Sequence, residues 1–353
     1  MPAFNLDLLK RLCDAPGISG REDAVRRIVL DELHVLVDSI RVDALGNVIA
    51  VKAGKGGPRV AVSGHMDEIG FYVKHIDDRG FLRLQPVGGF DARVLVAQRV
   101  AVHGFAGETL AGALQASSIP AFPPIPGEAK APRMDDLFVD LGLSAEAVKQ
   151  KVEIGDQVTL DRQLVSNGET VMTKALDDRV GVFVCIEALK RIGDHAAEIT
   201  FLASTQEEVG LRGATPASFG IDADINLAID ITPSWEGPGR TPDQYVTLLG
   251  AGVALKIIDM SHIAHPLLTR HLRDIAVERG IPYQLEVLPH GGTDAAAMQR
   301  AKAGSVATTL SVPTRYPHTV NEIAGISDIE ATIHLLVAYL ETAGSREYSY
   351  PSR

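Results

Sequence analysis

Three textures of apolar and polar positions follow one another along this chain. Phe4, Leu8, Leu9 and Leu12 recur at helical spacing, and after the turn Pro16-Gly17-Ile18-Ser19-Gly20 a second helical pattern covers residues 22–36. Residues 40–51 alternate around Gly46-Asn47 as a hairpin does. Residues 59–64 then read as a buried strand ending in His65-Met66-Asp67-Glu68. From Phe71 the pattern changes to short alternating strands at 71–76, 81–84, 99–102 and 157–160. A loop rich in proline, with Pro120, Pro123, Pro124, Pro126 and Pro132, interrupts them. These strands predict a small β-rich unit inserted into the first domain.

The third texture alternates helices with buried strands. Asp177 and Asp178 precede an apolar helix over 180–192, and the run Ile199-Thr200-Phe201-Leu202-Ala203-Ser204 ends in Glu207-Glu208-Val209-Gly210. Residues 225–229 form another buried run, closed by Asp230. Beyond the Pro/Gly-rich loop 233–242 come strand-like residues 245–249, a helix over 266–279, and a strand over 283–287. A glycine loop, Pro289-His290-Gly291-Gly292-Thr293-Asp294, leads into a helix over 295–300, and the last strand, 306–312, leads to His318. The final helix opens on the capping box Ser327-x-x-Glu330 with Ile329, Ile333, Leu336 and Leu340 on one face, and the tail after Gly344 reads as frayed. The expected class is α/β: a central sheet flanked by helices over 1–70 and 165–353, with the β-rich insert at 71–164.

Composition narrows the function. The 353 residues are 46% hydrophobic and 22% charged, ordinary for a globular chain with room for two domains. The net charge of -11, without a basic cluster, argues against nucleic acid or an anionic membrane as partner. The N-terminus lacks a signal-peptide pattern, and Cys13 and Cys185 sit among apolar helical neighbours, which predicts buried free thiols and a cytoplasmic protein. A small molecule or peptide is the expected partner.

Several polar residues stand where sheets present chemistry. His65, Glu207, Glu208, Asp230 and His318 follow predicted strands, and Asp177 opens a helix. In open α/β sheets, ligands gather outside the carboxyl ends of strands. Two imidazoles with three carboxylates and no thiolate suit a two-cation site for Zn²⁺, or Co²⁺ or Mn²⁺, better than a structural zinc. Neighbouring side chains leaving a strand diverge, so one glutamate of the pair can hold a metal while the other faces a water. Asp67, two residues after His65, stands close enough to orient a ligand imidazole or a base. His290 is a further candidate without a partner at fixed spacing. Each motif alone also reads blandly, Glu207-Glu208 as a solvated turn and Asp177-Asp178 as acids favoured at a helix start.

Taken together, several motifs resemble the tetrahedral metallo-aminopeptidases, which include deblocking and glutamyl aminopeptidases and proteins once labelled cellulase M or endoglucanase. The motifs are Ser63-Gly64-His65-Met66-Asp67-Glu68-Ile69-Gly70, Lys174-Ala175-Leu176-Asp177-Asp178-Arg179, Gln206-Glu207-Glu208-Val209-Gly210-Leu211-Arg212-Gly213-Ala214, Ala228-Ile229-Asp230 and Tyr316-Pro317-His318-Thr319. The resemblance spans almost the whole chain in the family's order. It implies a zinc-peptidase-like catalytic domain with a central mixed sheet and an inserted β-barrel-like assembly domain. It also implies two divalent ions per subunit, with Asp177 bridging, His65 and Asp230 on one ion, and Glu208 and His318 on the other. Glu207 resembles the general base and Asp67 its supporting carboxylate. The implied activity is removal of N-terminal residues from short peptides by an attacking water between the two ions. The implied particle is a hollow tetrahedral homododecamer built from dimers. Gly112-Ala113-Leu114-Gln115-Ala116-Ser117-Ser118 departs from the family, lacking its usual Gly-Lys-Pro-like segment and following histidine.

Rival readings are a carboxypeptidase or an N-deacylase using the same ligands, a glycosidase using the glutamate pair, and a metal-bearing scaffold without catalysis. Adjacent glutamates do not flank a glycosidic bond from opposite sides, and with 5% aromatics and one Trp the chain has few surfaces for stacking sugars. A non-catalytic scaffold would have lost its base, and Glu207 is present.

Overall fold

A computed structural model describes residues 4–117 and 131–350. Two helices, α1 (Leu6–Asp14) and α2 (Asp23–Leu33), lead into the hairpin of β1 (Ser39–Val42) and β2 (Val48–Lys52), then into β3 (Arg59–His65). A contiguous stretch follows: β4 (Gly70–Ile76), β5 (Leu82–Val87), α3 (Ala92–Leu95), β6 (Arg99–His103), β7 (Thr109–Ala116), β8 (Leu137–Asp140), α4 (Ala145–Lys149) and β9 (Gln157–Leu160). Its strands close a barrel in the order β4-β5-β8-β7-β6-β9 around a core of its own, which includes Phe71, Val100, Leu114, Val139 and Val158. The residues holding Pro120, Pro123, Pro124 and Pro126 lie outside the described ones.

The chain then returns to the main sheet. β10 (Val165–Ser166), β11 (Thr170–Thr173), α5 (Leu176–Arg191), β12 (Glu198–Ser204), α6 (Ala214–Ile221) and β13 (Ile225–Pro233) come first. β14 (Val253–Ile258), α7 (Pro266–Arg279), β15 (Tyr283–Val287), α8 (Ala295–Gln299), β16 (Val306–Arg315), β17 (Glu322–Gly325) and α9 (Ile326–Thr342) complete it. The sheet runs β1-β2-β12-β3-β13-β16-β17-β11-β10, with β14 on β16 and β15 outside β14. It is mixed: β12, β3, β13 and β16 are mutually parallel, whereas β2 and β14 pair antiparallel to them. Alternate side chains of the strands feed opposite faces. Val48, Ala50 and Phe201 belong to the core shared with α1, α2, α5, α7 and α9, while Ile49 and Leu202 belong to the one shared with α6 and α8.

Helix α5 is the buried axis of the molecule. Its residues from Leu176 to Leu189 are all buried, and it packs on β3, β13 and α9. Close approach to the sheet requires two glycines. A Cβ on Gly64 would lie 2.7 Å from the Gly181 backbone, and one on Gly181 would lie 2.6 Å from Ile229 O.

Four expectations are corrected. Residues 245–249 are not a strand, because Gln284 bonds the backbone of Leu248 through its side chain and the true strand is β14, a few residues later. The capping box of the last helix does not form. Gly325 stands at the cap without a side-chain bond, Asp328 instead accepts from Gly250 N and Gly252 N, and Glu330 pairs with Arg191. The second helix stops at Leu33 rather than reaching 36. The tail is docked rather than frayed as far as Tyr348, whose buried hydroxyl bonds His271 Nδ1 at 2.6 Å.

Candidate metal centre

Parallel register delivers the candidate residues to one edge of the sheet. His65 ends β3 opposite Ser204 of β12, and the chain beyond Ser204 turns sharply to present Glu207 and Glu208. Gln206 in a left-handed conformation and Gly210 at φ 113° make that turn, and the amides of Gly210 and Leu211 both bond Glu207 O. Asp230 lies within β13 rather than at its end, opposite Ser311, just beyond the last β13–β3 pair. His318 follows β16 with a positive φ of 60°. Asp177 and Asp178 depart from helical backbone, and Asp178 accepts Gly181 N, so it caps the helix proper.

The His65 ring is fixed by its surroundings. Its Nδ1 donates to Asp67 O at 3.0 Å, which leaves Nε2 facing Asp177 Oδ1 at 3.1 Å. His318 is held likewise: Nδ1 donates to Gly89 O at 2.8 Å, and Nε2 lies 3.3 Å from Asp177 Oδ2 and 3.6 Å from Glu208 Oε2. The two oxygens of Asp177 thus face two different imidazoles. Ligand atoms of His65, Asp177 and Asp230 gather within 4.8 Å of one another, as do those of Asp177, Glu208 and His318. Glu207 belongs to neither group, with Oε2 3.9 Å from His65 Nε2. His290 is exposed and also belongs to neither.

Asp67 works mainly on the backbone. Its carboxylate accepts from Ser19 Oγ at 2.6 Å, Glu207 N at 3.0 Å and Glu208 N at 3.2 Å, while Oδ1 lies 3.4 Å from His65 Nδ1. It therefore aligns the glutamate pair and the imidazole together. Glu322, which carries no sequence signal, does the same on the far side, accepting Asp177 N at 3.1 Å and His318 N at 2.8 Å. Gly89 contributes from the barrel segment through a carbonyl oxygen. Backbone-mediated contacts of this kind leave no residue-type pattern to find.

The electrostatics are those of crowded carboxylates out of water. Burial pushes Glu207 and Asp230 well above the usual carboxylate range and Glu208 up to about 7, and neighbouring carboxylates add to each shift. Asp177 is held low against its burial by the hydrogen bonds of His318 and His65. Glu208 Oε1 is buried without a hydrogen-bond partner among the described residues. An orphaned carboxylate oxygen beside two oxygen and nitrogen donor groups fits divalent cations, which supply the missing partner and the missing positive charge. The cluster opens into a cavity of about 680 Å³.

The model of the M42 glutamyl aminopeptidases matches residues 46–335. The chain belongs to that family. A putative aminopeptidase of Acetivibrio thermocellus is 38% identical over 94% of this chain and 97% of its own length. An aminopeptidase from the archaeon Desulfurococcus kamchatkensis has the same fold at a TM-score of 0.92, with 38% identity over 96% of this chain and 94% of that one. The TET1 peptidase of Pyrococcus horikoshii, which can assemble into a tetrahedron or a large octahedral shell, superposes at 0.85 with 34% identity over 95% and 98% of the chains. As an M42 member this chain is a metal-dependent aminopeptidase. No helix among the described residues is long and apolar enough to cross a membrane.

Proposed function

We propose that the M42 chain binds two divalent cations, Zn²⁺ or alternatively Co²⁺ or Mn²⁺, and uses them to remove residues from the free N-terminus of short peptides. His65, Asp177 and Asp230 would hold one ion, and Asp177, Glu208 and His318 the other. The observation that carries this reading is the placement of Asp177, whose two oxygens face the two imidazoles at 3.1 and 3.3 Å. Cations bound there would supply Lewis acidity, polarising the scissile carbonyl and lowering the pKa of a water. Glu207, left out of both ligand groups and held by Asp67 through its amide, takes the proton from the attacking water and returns it to the leaving amine. Asp67, Glu322 and Gly89 keep the ligand backbone and rings in register.

We assign residues 71–164 to assembly and the rest to catalysis, and infer a closed homo-oligomer, a tetrahedral dodecamer built from dimers. The barrel has its own core, supplies no side chain to either ligand group among the described residues, and exposes Val94, Phe105, Leu143 and Ile154. Two buried, unpaired cysteines fit a cytoplasmic protein.

Counting metal on Asp177→Asn tests the shared ligand. Replacing the carboxylate that would serve both ions with a neutral amide, which has one oxygen donor and no charge, should empty both sites together and abolish peptide cleavage. A variant retaining two tightly bound ions rules the bridge out.

A further inference from the structure

Beyond the ligand cluster, apolar side chains make up most of the cavity wall, with Lys256, Ser261, His290 and Thr293 among them. Leu211 follows the glutamate turn, Ile231 and Pro233 end β13, Trp235 follows it, and Met260 and Leu288 come from two loops after β14 and β15. Those loops are tied together. Met260 N donates to Gly291 O at 3.2 Å and Leu288 N to Ile258 O at 3.0 Å, while a Cβ on Gly292 would fall 2.6 Å from Ser261 Oγ. The wall is thus preformed.

Charge on the lining decides which side chain it accepts. The lysine of the lining, Lys256, has no accessible side-chain surface, and its ammonium donates to Glu286 Oε1 at 2.6 Å with Asp259 Oδ2 at 3.7 Å. Two carboxylates already face this one ammonium, so no positive charge is left for an acidic side chain. Those carboxylates are themselves fully buried behind Lys256 and off the cavity surface, so they offer nothing to a basic one. His290 stands on an exposed turn at the mouth, where an ion pair is weak. Arg240 is exposed over the Trp235 ring and does not line the cavity. Burying a charge without a partner is costly, whereas each methylene placed against such a wall favours binding by roughly tenfold or more.

We infer that the enzyme selects an uncharged, apolar N-terminal residue of about leucine or methionine size over glutamate and lysine. This rests on the aminopeptidase reading and adds its substrate class.

The test is a kcat/KM panel on the metal-loaded native enzyme with alanyl, leucyl, methionyl, glutamyl and lysyl p-nitroanilides. Leucyl and methionyl substrates should exceed glutamyl, lysyl and alanyl ones alike by on the order of 10²-fold or more. A glutamyl or lysyl optimum overturns the specificity while leaving the aminopeptidase reading intact. Failure to cleave any of the five overturns both. Met260 is 73% exposed, so a charge there is tolerated by the fold. Met260→Glu should lower the leucyl-to-lysyl ratio about two- to fivefold, the scale of an exposed ion pair, and Met260→Lys should lower the leucyl-to-glutamyl ratio similarly. Unchanged ratios in both variants would show that this wall does not face the bound side chain, and would sink the proposal.

Discussion

At the scale of single residues, the division of labour between Glu207 and Glu208 can be separated by experiment. Glu208 has an unpartnered oxygen and lies 3.6 Å from His318, whereas Glu207 stands outside both ligand groups. Glu207→Gln keeps shape and amide contacts but cannot accept a proton, so kcat should fall about 10²- to 10⁴-fold while metal content stays unchanged. A fall in metal content parallel to activity would make Glu207 a ligand and reverse the roles of the pair. His65, Asp67, Asp177, Glu207, Glu208, Asp230 and His318 were legible as candidates because chemistry requires their side chains and because each follows a buried run or, for Asp177, opens an apolar helix. Glu322 and Ser19 were not. Each acts on a backbone amide or another carboxylate from a distant part of the chain, so no spacing announces it.

At the scale of elements, buried runs and alternation located β3, β12 and β13, because a strand buried on both faces needs a continuous apolar run whatever its neighbours. Residues 245–249 misled for the opposite reason. Their alternation is real, yet Gln284 satisfies that backbone and β16 pairs with β14 instead. The short strands β10, β11 and β17 escaped notice because their pairing, not their composition, makes them strands. The contact between α5 and the sheet yields the next prediction. A methyl at Gly181 would lie 2.3 Å from Asp178 Oδ2 and 2.6 Å from Ile229 O, pushing against both the helix cap and β13. Gly181→Ala should cost about 1–3 kcal/mol and lower metal occupancy, since Asp177 and Asp230 sit on the two elements forced apart. Gly237→Ala, whose Cβ would meet nothing within 4 Å, is the matched control. Equal melting temperatures for the two variants would mean the α5 contact is not tight.

At the scale of the whole molecule, proton and metal binding are linked to stability. Burial lifts Glu208 to about 7, Glu322 to about 8 and Asp294 to about 6, from ordinary values of 4.5, 4.5 and 3.8. Glu208 and Asp177 hold His318 up at about 11 against its burial, from 6.5. In all four groups the folded chain keeps protons that the unfolded chain has released, so metal-free stability falls as pH rises from about 4 towards 8 and beyond. Asp177 and Asp67, both depressed, act in the opposite sense only near and below their ordinary 3.8. Cations held by Glu208 and His318 would displace the protons on those two groups, so the melting-temperature gain from metal should be larger near pH 8 than near pH 5.5. A chelated protein that melts higher at the alkaline pH would contradict the linkage. Assembly is the last consequence. A barrel with its own core that exposes Phe105 and Ile154 gains by covering them with another copy, and a closed particle of this kind would admit short unfolded peptides and exclude folded proteins. Light scattering on the intact, metal-loaded protein should therefore give a dodecamer mass, and replacing residues 71–164 with a short Gly/Ser linker should yield smaller, weakly active species. Removing the insert also removes Gly89 O from His318 Nδ1, so activity can fall for a second reason, and only the mass reports assembly. A metal-loaded monomer at micromolar concentration would sink the closed-particle proposal and leave the aminopeptidase standing.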